Sequence, residues 1–138
     1  MRRFTTNSAA ETERVGARLG RRLKGGDVVA VYGGLGAGKT VFVRGIAAGL
    51  GITDEVSSPT FALVHEYGGE PLLAHFDMYR VEGWEDLYST GFFDYLDRGG
   101  VLAVEWAENI EAALPENTVR VYIRKLDADS RLIEIDMP

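Results

Sequence analysis

The sequence predicts an α/β protein, a three-layer αβα sandwich built on a mixed, mainly parallel sheet that finishes in a C-terminal antiparallel β-hairpin. Three observations carry that expectation. Asp27-Val28-Val29-Ala30-Val31-Tyr32 is a short apolar, β-branched run that passes through a glycine-rich loop straight into a helical pattern, the order of a buried parallel strand and its crossover helix. Val101-Leu102-Ala103-Val104-Glu105 is apolar without alternation, as a strand covered on both faces must be. Residues 118–125 and 131–137 alternate instead, around a turn at Asp127-Ala128-Asp129-Ser130, which is the pattern of a hairpin with one face in water.

Composition sets the outer bounds. At 138 residues the chain is expected to form one domain, 1–138, with a single core and no room for a separate substrate domain. Hydrophobic content of 46% and charged content of 26% are those of an ordinary globular protein. The absence of cysteine excludes a disulfide framework and thiolate metal sites. No apolar run approaches a membrane span, and Met1-Arg2-Arg3-Phe4-Thr5-Thr6 lacks a signal-like stretch, so a cytoplasmic protein with no membrane partner is expected. The net charge of −6 argues against broad, sequence-independent binding of DNA or RNA, which needs a basic face.

Taken in order, the Thr/Ser-rich residues 5–8 cap a helix expected over 9–24, closed by Gly25-Gly26. On that helix Arg14, Arg18, Arg21 and Arg22 share a side opposite Val15, Leu19 and Leu23, a solvated face or a local contact for RNA or a partner. After the first strand and loop, Val41, Phe42, Ile46 and Leu50 keep helical spacing until Gly49 and Gly51. A stiff polar connection, 55–60, leads to two strands, 61–67 and 72–77, joined by the turn Gly68-Gly69-Glu70-Pro71. Short helical pieces are expected over 84–89 and 92–97, the central strand over 101–105, and a short helix over 108–114 that stops before Pro115.

The chemistry lies in Gly33-Gly34-Leu35-Gly36-Ala37-Gly38-Lys39-Thr40, which fits G-x-x-x-x-G-K-[ST]. Glycines there let consecutive backbone N–H groups curl around a phosphate chain with no Cβ in the way. Lys39 is placed to reach β- and γ-phosphate oxygens, and Thr40 offers its hydroxyl to Mg2+. Val41, the next residue, belongs to the same nucleotide-binding set. Phosphoryl transfer also needs an acid near the metal, and two predicted strands end in one: Asp77 and Glu105, to hold the ion or its water. His75, two residues before Asp77, shares its face of the strand and either orients that acid or is satisfied inside the sheet. Trp106 is either a wall of the site or core packing.

Leu35-Gly36-Ala37-Gly38-Lys39-Thr40, Arg44-Gly45, Ser58-Pro59-Thr60-Phe61, His75-Phe76-Asp77-Met78-Tyr79-Arg80, Gly91 and Glu105-Trp106, in this order, resemble the TsaE family, P-loop ATPases of bacterial tRNA threonylcarbamoyladenosine (t6A) biosynthesis. The resemblance runs over nearly the whole chain and implies the P-loop NTPase fold. It implies a weak ATPase that uses ATP and Mg2+ and works with two partners, TsaB and TsaD, which modify adenosine 37 of tRNAs reading ANN codons. It assigns Lys39 to phosphates, Thr40 and Glu105 to magnesium, Asp77 to metal or water positioning, and Ser58 to Thr60 to a loop that senses the γ-phosphate. Gly34 departs from the family, whose members often carry a carboxylate there. Arg80 is the internal candidate for positive charge near the γ-phosphate, with an ion pair to Glu82 or Glu85 as the alternative.

Other functions remain open on the residues alone. A GTPase needs an Asn-Lys-x-Asp purine reader, and the chain has no Asn-Lys pair; Asp97-Arg98-Gly99-Gly100 precedes a strand and is expected to be a turn. A small-molecule kinase needs an acceptor pocket and an Arg-rich lid, for which 138 residues leave little room. A nucleotide-dependent regulatory module that turns over rarely is the remaining alternative.

Overall fold

A computed structural model describes residues 1–53 and 64–138. Its strands are β1 (Arg2–Thr6), β2 (Val28–Tyr32), β3 (Val64–Tyr67), β4 (Leu73–Asp77), β5 (Val101–Glu105), β6 (Val119–Lys125) and β7 (Arg131–Asp136). Its helices are α1 (Ala9–Gly20), α2 (Lys39–Gly49), α3 (Trp84–Ser89) and α4 (Phe92–Asp97), with a 3₁₀ helix at Ala107–Ala113.

All seven strands form one sheet in the order β1-β7-β6-β2-β5-β4-β3. The inner four, β6, β2, β5 and β4, run parallel, while β3 and the β7-β1 pair add antiparallel edges. Two cores follow from the period of the central strands. Val29 and Val31 face a cluster with Phe42, Val43 and Ile46 of α2 and with Val15 and Leu19 of α1. Val28 and Ala30 face the opposite cluster, with Phe76, Leu87, Phe92 and Ile110. A strand that packs on both faces leaves no polar position, which is why β2 and β5 read as continuous apolar runs. The arrangement is the expected three-layer αβα sandwich.

Helices α1 and α2 approach so closely that backbone meets backbone. A Cβ added at Gly16 would stand 2.3 Å from Phe42 O, and one at Gly45 would stand 2.1 Å from Glu13 O. Gly45, of the Arg44-Gly45 pair in the sequence, thereby acquires a physical reason.

Several boundaries move. Residues 2–6 form β1, an edge strand on β7 in place of a simple capping segment, although Ser8 does cap α1 by accepting from Glu11 N–H at 3.1 Å. Helix α1 stops at Gly20 instead of continuing to residue 24, because Arg22 and Leu23 donate to Leu19 and Gly20 in tight turns and the Asp27 carboxylate takes Lys24 N–H at 2.9 Å. The helix expected over 108–114 is a 3₁₀ helix kinked at Ile110. The first part of the strand expected over 61–67 lies outside the described residues, which begin that strand at Val64. Arg14, Arg18, Arg21 and Arg22 are exposed, with Val15, Leu19 and Leu23 buried behind them.

Candidate functional site

The glycine-rich loop leaves the carboxyl end of β2, between β5 and β6, and hands the chain to α2 at Lys39. In an open α/β sheet that edge is where ligands bind. Gly38 enters the helix with φ +103°, a left-handed conformation that a side chain would strain, so glycine is required at the point where the loop turns into α2. At Gly34, by contrast, an added Cβ would meet open space, so steric crowding does not explain its departure from the family.

Beside the loop is a cavity of about 450 Å³ whose walls include Lys39, Thr40, Asp77, Glu105 and Trp106. The predicted loop residues Leu35, Gly36, Ala37, Gly38 and Val41 line the same cavity. The two strand-end acids meet there because β4 and β5 are parallel and register Asp77 directly beside Glu105. Thr40 Oγ1 donates to Glu105 Oε2 at 3.2 Å, so the first turn of α2 is tied to the tip of β5. The Asp77 carboxylate accepts Tyr79 N–H at 2.9 Å, which fixes its direction at the strand end.

Lys39 is only 6% exposed. Its ammonium donates to Gly33 O at 2.7 Å and stands 3.9 Å from the centre of the Trp106 ring. A buried cation needs such partners, and the indole face supplies one without a counter-charge. Trp106 holds this place in a left-handed backbone conformation, φ 57°, ψ 38°, the one non-glycine residue of that kind among the described residues. Strain of that sort costs on the order of 1–3 kcal/mol and concentrates at functional sites. Trp106 is therefore a wall of the site, half-buried at the end of a central strand.

His75 is fully buried, and its Nε2 lies 2.5 Å from Glu105 Oε2. Its partner is thus the neighbouring strand's acid, and neither Asp77 nor a backbone group. Its Nδ1 has no hydrogen-bond partner. His65 pairs locally, Nδ1 standing 3.3 Å from Tyr67 Oη.

Arg131 is a site residue that reading the sequence missed. It opens β7, where the alternation shows only a hairpin strand. Its Nε donates to Ala37 O at 2.8 Å and one amino group to Gly36 O at 3.1 Å, while the other is held by Asp127 O and Ser130 O, both at 3.0 Å. The guanidinium thereby ties the closing hairpin to the carbonyls of the glycine-rich loop. The turn that holds it is itself organised by Asp127, whose carboxylate accepts the N–H groups of Asp129 and Ser130 and is held below the ordinary carboxylate range by them.

Beneath the loop, Tyr32 stacks on Tyr122 at 5.0 Å and donates to Glu111 at 2.6 Å. Burial, then the bond to Glu111, pushes the Tyr32 phenol well above its ordinary value. Burial also pushes the Glu111 carboxyl up, but bonds from Tyr32 and Arg120 outweigh it and hold it below its ordinary value. This network anchors the strand end that launches the loop.

Arg80 is exposed, does not line the cavity, and makes no ion pair with Glu82 or Glu85. Thr60 and Ser58 lie outside the described residues.

Comparison with known proteins agrees with this geometry. The family model described as "Threonylcarbamoyl adenosine biosynthesis protein TsaE" matches residues 6–133. A protein of Treponema pallidum (strain Nichols) named tRNA threonylcarbamoyladenosine biosynthesis protein TsaE is 42% identical over 133 residues, covering 96% of this chain and 98% of its own. The protein of the same name from Bacillus subtilis (strain 168) is 39% identical over 132 residues, covering 95% of this chain and 82% of its own. A crystal structure of Bacillus subtilis YdiB superposes with a TM-score of 0.83 at 35% identity, over 99% of this chain and 84% of that one. With loop, strand-end acids and seven-stranded sheet in place, the chain belongs to the TsaE family of tRNA threonylcarbamoyladenosine biosynthesis proteins.

Proposed function

We propose that this chain binds ATP with Mg2+ on the loop 33–40 and hydrolyses it slowly, as the nucleotide-driven component of t6A formation on tRNA. The observation that carries the reading is the convergence of Lys39, Thr40, Asp77 and Glu105 on one cavity at the carboxyl edge of the sheet. In the cytoplasm the chain works with the TsaB and TsaD transferase complex and meets tRNA through it. No described helix is long and apolar enough to cross a membrane, which is compatible with that setting.

The donor set suits the ion. A hydroxyl and two carboxylates are hard oxygen ligands, and Mg2+ is ordinarily held by one or two carboxylates together with substrate phosphates, without an all-protein cage. When bound, Mg2+ neutralises charge on the β- and γ-phosphates.

The residues of the chain do the rest. Lys39 leaves Gly33 O and Trp106 and places its charge on phosphate oxygens, exchanging one set of partners for a stronger one. Loop N–H groups face the phosphates while Arg131 keeps the loop carbonyls turned away. Glu105, aimed by His75, and Asp77, aimed by Tyr79 N–H, set the metal side of the cavity and orient the attacking water.

Calorimetry with MgATP tests the reading. Removing the charge-assisted bonds of Lys39 costs about 1.5–3 kcal/mol, so folded Lys39→Ala is expected to bind MgATP at least about tenfold more weakly than the native chain. Equal affinity in the two proteins would discard it.

A further inference from the structure

We propose that the edge of the molecule between α1 and β1 docks an acidic segment of a partner protein, seating one aliphatic side chain in a cavity ringed by Arg2, Arg18 and Arg22. This surface is separate from the nucleotide reading above, since the cavity shares no wall with the one beside the glycine-rich loop.

Two periods build it. Strand β1 alternates, so Arg2 and Phe4 turn to the α1 side of the sheet, while Arg3 between them turns away and pairs with Glu134 at 2.9 Å. Strand β7 alternates beside it, with Ile135 in register with Arg2 and with Asp136 in register with Arg120 of β6 on the other face. Val15, Arg18 and Leu19 of α1, and Arg22 just past its end, come to the same side at helical spacing; the apolar pair is buried and the arginines stand exposed. The result is a cavity of about 80 Å³, floored by Phe4, Val15, Leu19, Ile135 and Met137, with no acid among its walls. A single water needs only roughly 10–15 Å³, so the space admits an aliphatic side chain.

Charge decides the occupant. Among the described residues no ion pair engages Arg2, Arg18 or Arg22, a local exception in a chain whose net charge is −6. Arg2 and Arg18 lie instead over the Phe4 ring, 5.7 and 5.3 Å from its centre, which holds both guanidiniums at the rim. A concave site with one sign of charge above an apolar floor concentrates the opposite charge. Guanidiniums pair bidentately with carboxylates, and arginine around an apolar anchor is the composition of a protein interface. Arg14 and Arg21, exposed along α1, extend the positive surface for further acids of the same segment. RNA fits less well. Phosphates gain nothing from the apolar floor, and Phe4 is covered by guanidiniums where a base would have to stack.

The probe is a fluorescein-labelled peptide with glutamates on both sides of a single leucine, followed by fluorescence anisotropy at low salt. The native chain is compared with Arg18→Glu, Arg22→Glu and Arg124→Glu, the last an exposed arginine of β6 outside the cavity. The native chain should bind with a dissociation constant below about 100 µM, the two cavity variants should lose at least about tenfold, and Arg124→Glu less than about twofold. A peptide with serine in place of leucine should bind the native chain at least about fivefold more weakly, because the cavity then gains no apolar burial. Unchanged melting midpoints report that the variants are folded. Absent binding, equal losses in all three variants, or equal affinity for the two peptides would overturn the proposal. So would a uridine oligonucleotide that binds more tightly than the peptide and depends on Arg18, which would assign the surface to RNA.

Discussion

At Glu105 a single oxygen, Oε2, accepts from His75 Nε2 at 2.5 Å and from Thr40 Oγ1 at 3.2 Å. Glu105 is 4% exposed, and burial of an acid demands such partners. Its direction is thereby set by two elements at once, the strand beside it and the helix after the loop. Asp77 is held differently, by one N–H from the backbone that follows it. On the function proposed above, both acids act through the ion or its water and neither holds the phosphates directly. Asp77→Ala and Glu105→Ala are accordingly expected to keep nucleotide binding and lose magnesium-dependent hydrolysis by about 10²–10³, the usual effect of removing one preorganised electrostatic group. Steady-state hydrolysis alongside nucleotide titration checks this, and normal turnover in either variant would show that its acid is incidental.

Between elements, the decisive contact is α1 on α2. Gly16 and Gly20 of one helix face Gly45 and Gly49 of the other, with every added Cβ falling within 2.4 Å of a backbone oxygen. Backbone atoms cannot rotate away as a side-chain end can, so the helices would have to separate. Gly45→Ala is expected to lower stability by about 1–3 kcal/mol in the manner of an overpacked core. It should also weaken MgATP binding, because α2 begins at Lys39 and carries the phosphate loop on its first turn. Thermal unfolding and calorimetry on the same variant measure both; a native melting midpoint would show that the interface is looser than its geometry. The β6-β7 hairpin serves the loop from the other side through Arg131, so an element that looks like a closing ornament holds part of the site.

On the scale of the whole molecule, positive charge beside the cavity proposed for the phosphates is in short supply among the described residues. Lys39 lies in the cavity, Arg131 is engaged by loop and turn carbonyls, and Arg80 is exposed outside it. Phosphoryl transfer depends on such charge, often supplied late or in trans. Turnover of the isolated chain should therefore be low and rise when the partner complex is added, with Arg80→Ala lowering the stimulated rate much more than the basal one. Hydrolysis measured with and without the partners decides it: full activity alone, or equal loss in both states, leaves no place for a site completed by partners.

Local chemistry made much of this protein legible from residues alone. The loop 33–40, the buried runs that became β2 and β5, the short helices at Trp84–Ser89 and Phe92–Asp97, and the pairing of Asp77 with Glu105 all follow from spacing, periodicity and the rule that parallel strands end at one edge. Each depends on neighbours a few residues apart, or on a topology with few alternatives. What the sequence left undecided depends on distance in the chain. Arg2–Thr6 has no strong strand pattern and becomes one only because β7 offers an open edge. His75 could have served its own strand, and the parallel register gave it to Glu105, 30 residues away. Arg131 lies 94 residues from Ala37, so no local pattern could announce that its guanidinium holds the phosphate loop. Backbone propensity and side-chain period are written within a turn or a strand, whereas the partners of a charged side chain are chosen by packing that the whole fold brings together.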